Sequence, residues 1–272
     1  MSEHIIPKSK YVRQQKDPRD RVFKNSAPKK NMPRSHRINM GSYVYAQGAS
    51  DCTSNACAAI IRQALKSKHN KEFFPSRLYI YFFGRRMFYQ KDDDSGSWRE
   101  RDDGLCIRDA LKATDKFNAA SEEGPHGWPY DMSKFSTPPP KEVRRAARAL
   151  NGIVYESVPQ DASLIKEALL QGLPIVGGFL LTHDFFEVVR DNGGVWLPTK
   201  ETIAQGAWHA MCIVGYDDTP KIPIFILMNS WGPDFGAKGY ATMPQGWALD
   251  NTTASDFWIV KDVFKERGIS NK

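Results

Sequence analysis

The chain has 272 residues, of which 41% are apolar, 12% aromatic and 25% charged, the balance of an ordinary folded protein. This excludes wholesale disorder, a collagen-like repeat and a disulfide-stapled miniprotein, and no apolar run approaches the ~20 residues of a membrane-spanning helix. The formal net charge of +7 sits in residues 1–40, where eleven Lys and Arg face three Asp and Glu (+8), leaving −1 for residues 41–272.

Residues 1–40 are polar, basic and proline-containing, with little periodicity. They read as an arm that wraps the body or stays mobile, and the N-terminus has no apolar stretch for a signal peptide. Globular sequence begins near Tyr43, so the domain reading is an arm over 1–40 and a body over 41–272. Ala56, Ala59, Ile60 and Ala64 predict a buried helix over 54–65 with lysines after it. The aromatic run 76–89 has helical spacing, although its aromatics also permit a strand. A charged loop over 92–103 and a helix over 107–116 follow. Residues 124–140 form a loop whose prolines start a helix over 141–150. Asp161 or Ser163 caps another helix, which Gly172 ends. Strands are predicted over 174–181, 207–216, 224–229, 239–243 and 257–260. Helices first and strands later, without alternation, predict an α+β fold and not a doubly wound sheet.

Cys52, Cys57, Cys106 and Cys212 form no CxxC pair, and no histidine has zinc-ligand spacing to them, so no metal or cofactor is expected. Cys57 and Cys212 lie in apolar runs and read as small buried hydrophobes. In a reducing, cytoplasmic setting all four are expected to stay thiols. The acidic run Asp92-Asp93-Asp94 with Gly96 suggests a calcium loop, but the downstream Glu is missing and a solvated loop is the expectation. His4, His36, His69, His126 and His183 have no partner pattern.

Cys52 is different. It stands at the start of a helix, after Gln47-Gly48-Ala49-Ser50-Asp51. The unpaired N–H groups and positive dipole end of a helix N-terminus favour a thiolate. The Cys52 backbone N–H, with a nearby side-chain amide, would hold an oxyanion. Far along the chain, His209 opens an apolar strand, and Asn229-Ser230-Trp231-Gly232 follows the next one. A Cys nucleophile, a His base and an Asn orienter distant in sequence fit the Cys-His-Asn form of the triad.

These blocks, in this order, resemble the papain-like C1 cysteine peptidases, and the run from Asn229 to Tyr240 is close to that family's signature throughout. Asp17-Pro18-Arg19-Asp20, Pro75-Ser76-Arg77-Leu78-Tyr79-Ile80-Tyr81, Ile107-Arg108-Asp109-Ala110-Leu111 and Trp128-Pro129-Tyr130-Asp131 look like a compact branch found in bacteria, phages and large DNA viruses. The resemblance spans about 17–260. It implies two lobes, a helical one carrying Cys52 and a β-rich one carrying His209 and Asn229, with an extended protein or peptide substrate between them. By position it implies Cys52 as nucleophile, His209 as base, Asn229 as acceptor of the imidazole N–H and Gln47 as oxyanion donor. It implies that Trp231 covers the His–Asn hydrogen bond. Gly104 is the expected backbone partner of substrate and Ala207 an expected pocket wall. Packaging in a virus particle is an alternative location.

Four residues separate Gln47 from Cys52, where the papain pattern has five, so the oxyanion loop is tighter. Trp208 stands before the histidine, where a small residue is common. The implied activity is that of an endopeptidase. The same triad also serves trimming, isopeptidase or acyl-transfer chemistry, and a catalytically degenerate fold would be structural. The basic arm has three open readings: non-specific contact with nucleic acid or an acidic protein surface, a short inhibitory segment in the cleft, or a solvated tail.

Overall fold

The computed structural model describes residues 10–24, 31–89, 95–182, 184–198 and 206–265. Strand β1 (Ser35–Arg37) precedes the central helix α1 (Cys52–His69). Every residue from 52 to 65 is buried. The small side chains Ala56, Cys57, Ala58, Ala59 and Ala64 let neighbours approach α1 from all sides. Asn70, in the left-handed region at φ 47°, closes the helix by donating its N–H to the Leu65 and Lys66 carbonyls. Lys66, Lys68 and His69 suit the negative end of the dipole.

Helices α2 (Arg77–Tyr89), α3 (Ile107–Phe117) and α4 (Lys141–Ala147) follow. They enclose an aromatic core of Tyr79, Phe82, Phe83, Trp98 and Trp128. The remaining elements are β2 (Leu150–Ser157), α5 (Ala162–Leu170), β3 (Ile175–Leu181), α6 (Phe185–Asp191), β4 (Ala207–Asp217), β5 (Ile224–Met228), β6 (Tyr240–Pro244), α7 (Gln245–Leu249) and β7 (Ala254–Lys265). The strands form one seven-stranded antiparallel sheet in the order β2-β7-β3-β4-β5-β6, with β1 added to β4. One face of the sheet packs on α1 and shares its core. Among the described residues no helix is long and apolar enough to cross a membrane.

The α+β reading holds, with four differences from the sequence expectation. The helix expected over 141–150 stops at Ala147, because Gly152 (φ 78°) and the β-branched Ile153 and Val154 turn the chain into β2. Strand β7 runs past both ends of the apolar stretch 257–260, where the half-buried Asp256, Lys261 and Asp262 interrupt the apolar run. The short helices α6 and α7 have too few turns to show a period. Finally, the sheet begins inside the span read as arm. Ile38 donates its N–H to Val214 at 2.8 Å, and Arg37 stacks on Tyr240 with its guanidinium 4.3 Å from the ring centroid. Gly215 permits that docking, since a Cβ there would stand 2.6 Å from the His36 carbonyl oxygen.

The described part of 10–24 also lies on the body. The N–H of Phe23, a buried residue, donates to Ser157 at 2.8 Å, and the Ser157 N–H returns to Arg21 at 2.8 Å. Arg108 and Asp20 form an ion pair beside this edge of β2.

Candidate active site

Cys52 is the first residue of α1, and the loop 47–51 before it is fixed from three directions. Tyr130 accepts a hydrogen bond from the Gly48 N–H (2.7 Å) and donates to Asp51 (2.8 Å). Asp102 accepts from the Ser50 N–H at 3.0 Å and from the Tyr81 hydroxyl at 2.7 Å. Arg77, paired with Glu122 at 2.6 Å, donates to the Ala46 carbonyl and to Asn55 of α1, and lies 3.7 Å over the Tyr130 ring. A loop one residue short of the papain pattern thus keeps a single shape through buried side chains and not through its own turn chemistry.

His209 lies on β4, opposite Phe179 of β3. Asn229 follows β5 and is anchored by its N–H to the Gly239 carbonyl at 3.0 Å. His209 Nε2 donates to Asn229 Oδ1 at 2.8 Å, which fixes the tautomer and leaves Nδ1 as the second ring nitrogen. The Trp231 indole stacks on the imidazole, with centroids 4.7 Å apart and planes 28° from parallel. Phe185 and Phe235 hold that indole edge-on. The two walls are sewn together beside the site: Gln47 donates its N–H to the Ser230 carbonyl at 2.8 Å, and Gly232 donates to Tyr45 at 2.9 Å. The Ala210 backbone, adjacent to His209, hydrogen-bonds the Cys52 sulfur.

Cys52 and His209 are both fully buried, and burial disfavours the charged form of each. It pushes the Cys52 thiol up to about 11; the Asp51 carboxylate adds to this, while the backbone N–H groups of Ala210 and Thr53 oppose it. It pulls His209 down to about 4 against the hydrogen bond to Asn229. Burial therefore works against the thiolate–imidazolium pair.

The N-terminal segment crosses this site. Tyr11 donates its N–H to the carbonyl of Trp208, the residue before His209, at 3.2 Å. Val12 donates to the Leu105 carbonyl at 3.4 Å, and the same carbonyl accepts from Thr53 of α1 at 2.9 Å. The buried Tyr11 ring lies against Gly178, where a Cβ would collide with it. Its hydroxyl donates to Asp256, which also accepts from the Gln14 N–H at 3.1 Å. Arg13 stacks over Trp208 at 4.7 Å, and Lys10 pairs with Asp103 at 3.1 Å.

The family model described as papain family cysteine protease matches residues 103–259, which include His209 and Asn229 and begin after Cys52. An uncharacterized peptidase C1-like protein of Acanthamoeba polyphaga mimivirus is 34% identical over 221 residues, 78% of this chain and 67% of that protein. The chain belongs to the papain family of cysteine proteases. Cathepsin B-like cysteine proteinase 3 of Ostertagia ostertagi is 28% identical over 89 residues, so this chain spans 48% of that relative. The crystal structure of xylellain, a cysteine protease from Xylella fastidiosa, superposes with a TM-score of 0.75 at 30% identity, covering 95% of this chain and 97% of that one.

Within this papain-family chain, His209 touches Asn229 and Trp231, Gln47 bonds Ser230, and Cys52 lies against the backbone of Ala210, the residue after His209. The Gln47 side chain is turned by two contacts: its Oε1 accepts from the Ser230 hydroxyl at 2.6 Å, and its Nε2 donates to the Ala49 carbonyl at 3.1 Å. Gly104 (φ 75°) faces the arm so closely that a Cβ would overlap the Lys10 carbonyl. Ala207 is exposed at the start of β4, opposite Leu181, while Gly178 and Asp256 contact Tyr11. Sequence reading missed Asp51, Tyr130, Tyr11, Gly178 and Asp256. Only the glycine carried a signal, since Gly in an apolar strand marks a close approach. Cys57, Cys106 and Cys212 are buried thiols. Asp92 to Asp94, His4 and His183 lie outside the described residues.

Proposed function

We propose that this papain-family peptidase is an endopeptidase acting through Cys52, His209 and Asn229, and that its own residues 10–14 close the cleft in the resting chain. The 2.8 Å His209–Asn229 hydrogen bond beneath Trp231, beside a cysteine at the N-terminus of α1, carries the catalytic reading. Proton transfer from the Cys52 thiol to His209 Nδ1 creates the thiolate–imidazolium pair. The thiolate attacks the scissile carbonyl carbon, and the negative charge moves to the carbonyl oxygen. The Cys52 N–H and the Gln47 amide stabilise that oxyanion. His209 gives its proton to the leaving amine as the C–N bond breaks, leaving an acyl-enzyme. Water then yields a proton to His209 and attacks the acyl carbon, and the sulfur departs.

The closed state rests on geometry. Main-chain bonds to Trp208 and Leu105, with Tyr11 in a side-chain pocket, are the contacts an extended peptide substrate would make. Excluding water also favours the neutral pair and holds back its ionisation. The test is hydrolysis of a fluorogenic peptide library by the full chain. Cys52→Ala is expected to abolish turnover. Tyr11→Ala is expected to raise the initial rate at least about tenfold, the effect of weakening the closed state by about 1.4 kcal/mol. Turnover that survives Cys52→Ala would overturn the triad assignment; an unchanged rate in Tyr11→Ala would overturn the closed arm.

A further inference from the structure

Outside the cleft, the helical wall contains a cavity of about 500 Å³ lined by Arg86, Lys116, Lys141, Arg144, Arg145 and Arg148. Its remaining lining residues are the aromatics Tyr79, Phe83 and Phe117 with Asn118, and no carboxylate takes part. Residues 41–272 are net −1, so six converging cations are a local segregation of charge and not a reflection of the bulk. Helix dipoles suit Arg86, Lys116, Arg144 and Arg145, which stand in the last turns of α2, α3 and α4. They do not suit Lys141. Lys141, Arg144, Arg145 and Arg148 recur at i, i+3, i+4 and i+7, placing like charges on one face, an arrangement that destabilises a helix. Lys141 also stands at the positive end of that dipole. Elsewhere Arg77 pairs with Glu122 and Lys166 with Asp218, while the buried Arg85 is held by backbone carbonyls. Lys116, Lys141, Arg144, Arg145 and Arg148 make no ion pair among the described residues.

We propose that this cavity is a second binding site, for a compact anion carrying several adjacent phosphate groups. Guanidinium forks suit phosphate oxygens, which they contact two at a time, and three of the four cations on α4 and its C-cap are arginines. The volume is that of a small-ligand site. A nucleic-acid strand would require exposed rings on which bases stack. Here Tyr79 and Phe83 are buried, the Tyr79 hydroxyl donates to the Phe117 carbonyl at 2.9 Å, and Phe117 lies flat on Phe83 at 4.5 Å. The site therefore offers exposed charge around a pocket without a stacking platform. None of its lining residues belongs to the proposed triad.

The experiment is calorimetric titration of the full chain, at 0.15 M salt, with inorganic tripolyphosphate, a nucleoside triphosphate and a single-stranded oligonucleotide. The wild type is expected to bind one tripolyphosphate saturably. The Arg144→Glu/Arg148→Glu pair is expected to weaken binding at least about tenfold. A control pair of equal charge change at exposed sites, Lys68→Glu/Lys221→Glu, should shift it less than about twofold. Tighter binding of the nucleoside triphosphate than of tripolyphosphate assigns the natural ligand to nucleotides; equal binding assigns it to the phosphates alone. Arg144→Gln/Arg148→Gln, with its melting temperature measured, separates lost binding from lost folding. Absent saturation, equal losses in the two charge-reversed pairs, or an oligonucleotide that binds far more tightly than tripolyphosphate would each overturn the proposal.

Discussion

Asp51 sits one residue before the proposed nucleophile, fully buried, and burial raises its carboxyl to about 6 although the Tyr130 hydroxyl donates to it. A carboxyl with a folded value above its unfolded one takes up a proton on folding. Its contribution to stability is therefore complete below about pH 4 and is lost as pH rises through about 6. The difference between 3.8 and about 6 corresponds to about 3 kcal/mol. Asp51→Asn keeps an acceptor for Tyr130 and is expected to be more stable than wild type at pH 7 by up to that amount, with a flatter pH dependence between 4 and 6 in urea unfolding. Because the Asp51 charge also raises the Cys52 thiol, the same variant should alkylate at a lower pH. Asn229→Ala removes the acceptor that fixes the His209 tautomer and is expected to lower kcat/KM by about 100-fold or more with the fold intact, measured on a peptide substrate. The proposed set of Cys52, His209 and Asn229 can be picked out in the sequence because each carries its context in the neighbouring residues. The Asp51 environment was not, since it depends on Tyr130 and Asp102, which lie far away in sequence and are brought in by α2 and its following loops.

The elements that place the site differ in how openly the sequence announces them. Helix α1 and strands β3, β4 and β5 are long apolar runs with clear ends, and their expected spans fall within a few residues of those observed. Strands β1 and β2 and helices α6 and α7 are short or polar on one side, and they form because a partner is already present. β1 needs the bare backbone at Gly215, and β2 needs β7. The loop 47–51 belongs to this second class. Its shape comes from Tyr130, so Tyr130→Phe should leave the buried Asp51 carboxyl without its donor and cost about 1–3 kcal/mol. Its kcat should fall more than its KM rises, because the oxyanion donors on the loop are misplaced while the substrate walls are untouched. Steady-state kinetics beside thermal unfolding checks both.

At the scale of the molecule, the two walls are joined beneath the cleft by Gln47–Ser230 and Gly232–Tyr45, and bridged above it by the N-terminal segment. Composition showed that the arm is basic but not where its cations go. Among the described residues Lys10 pairs with Asp103, Arg13 lies on Trp208, Arg19 pairs with Asp17 and Arg37 lies on Tyr240. Lys10, Arg13 and Arg37 dock the segment on its own body, while Arg19 pairs within it. Burial raises the Cys52 thiol to about 11 and lowers the His209 imidazole to about 4; if the segment supplies that burial, opening the cleft is expected to move both toward the range where the pair ionises. The most direct measurement is the rate at which a peptidyl epoxide modifies each of the four cysteines, mapped by mass spectrometry, in the full chain and in Tyr11→Ala. The account predicts modification confined to Cys52, and faster in Tyr11→Ala, because burial raises the thiols of Cys57, Cys106 and Cys212 with no imidazole to activate them. A Cys52 no more reactive than those three in either protein would contradict it.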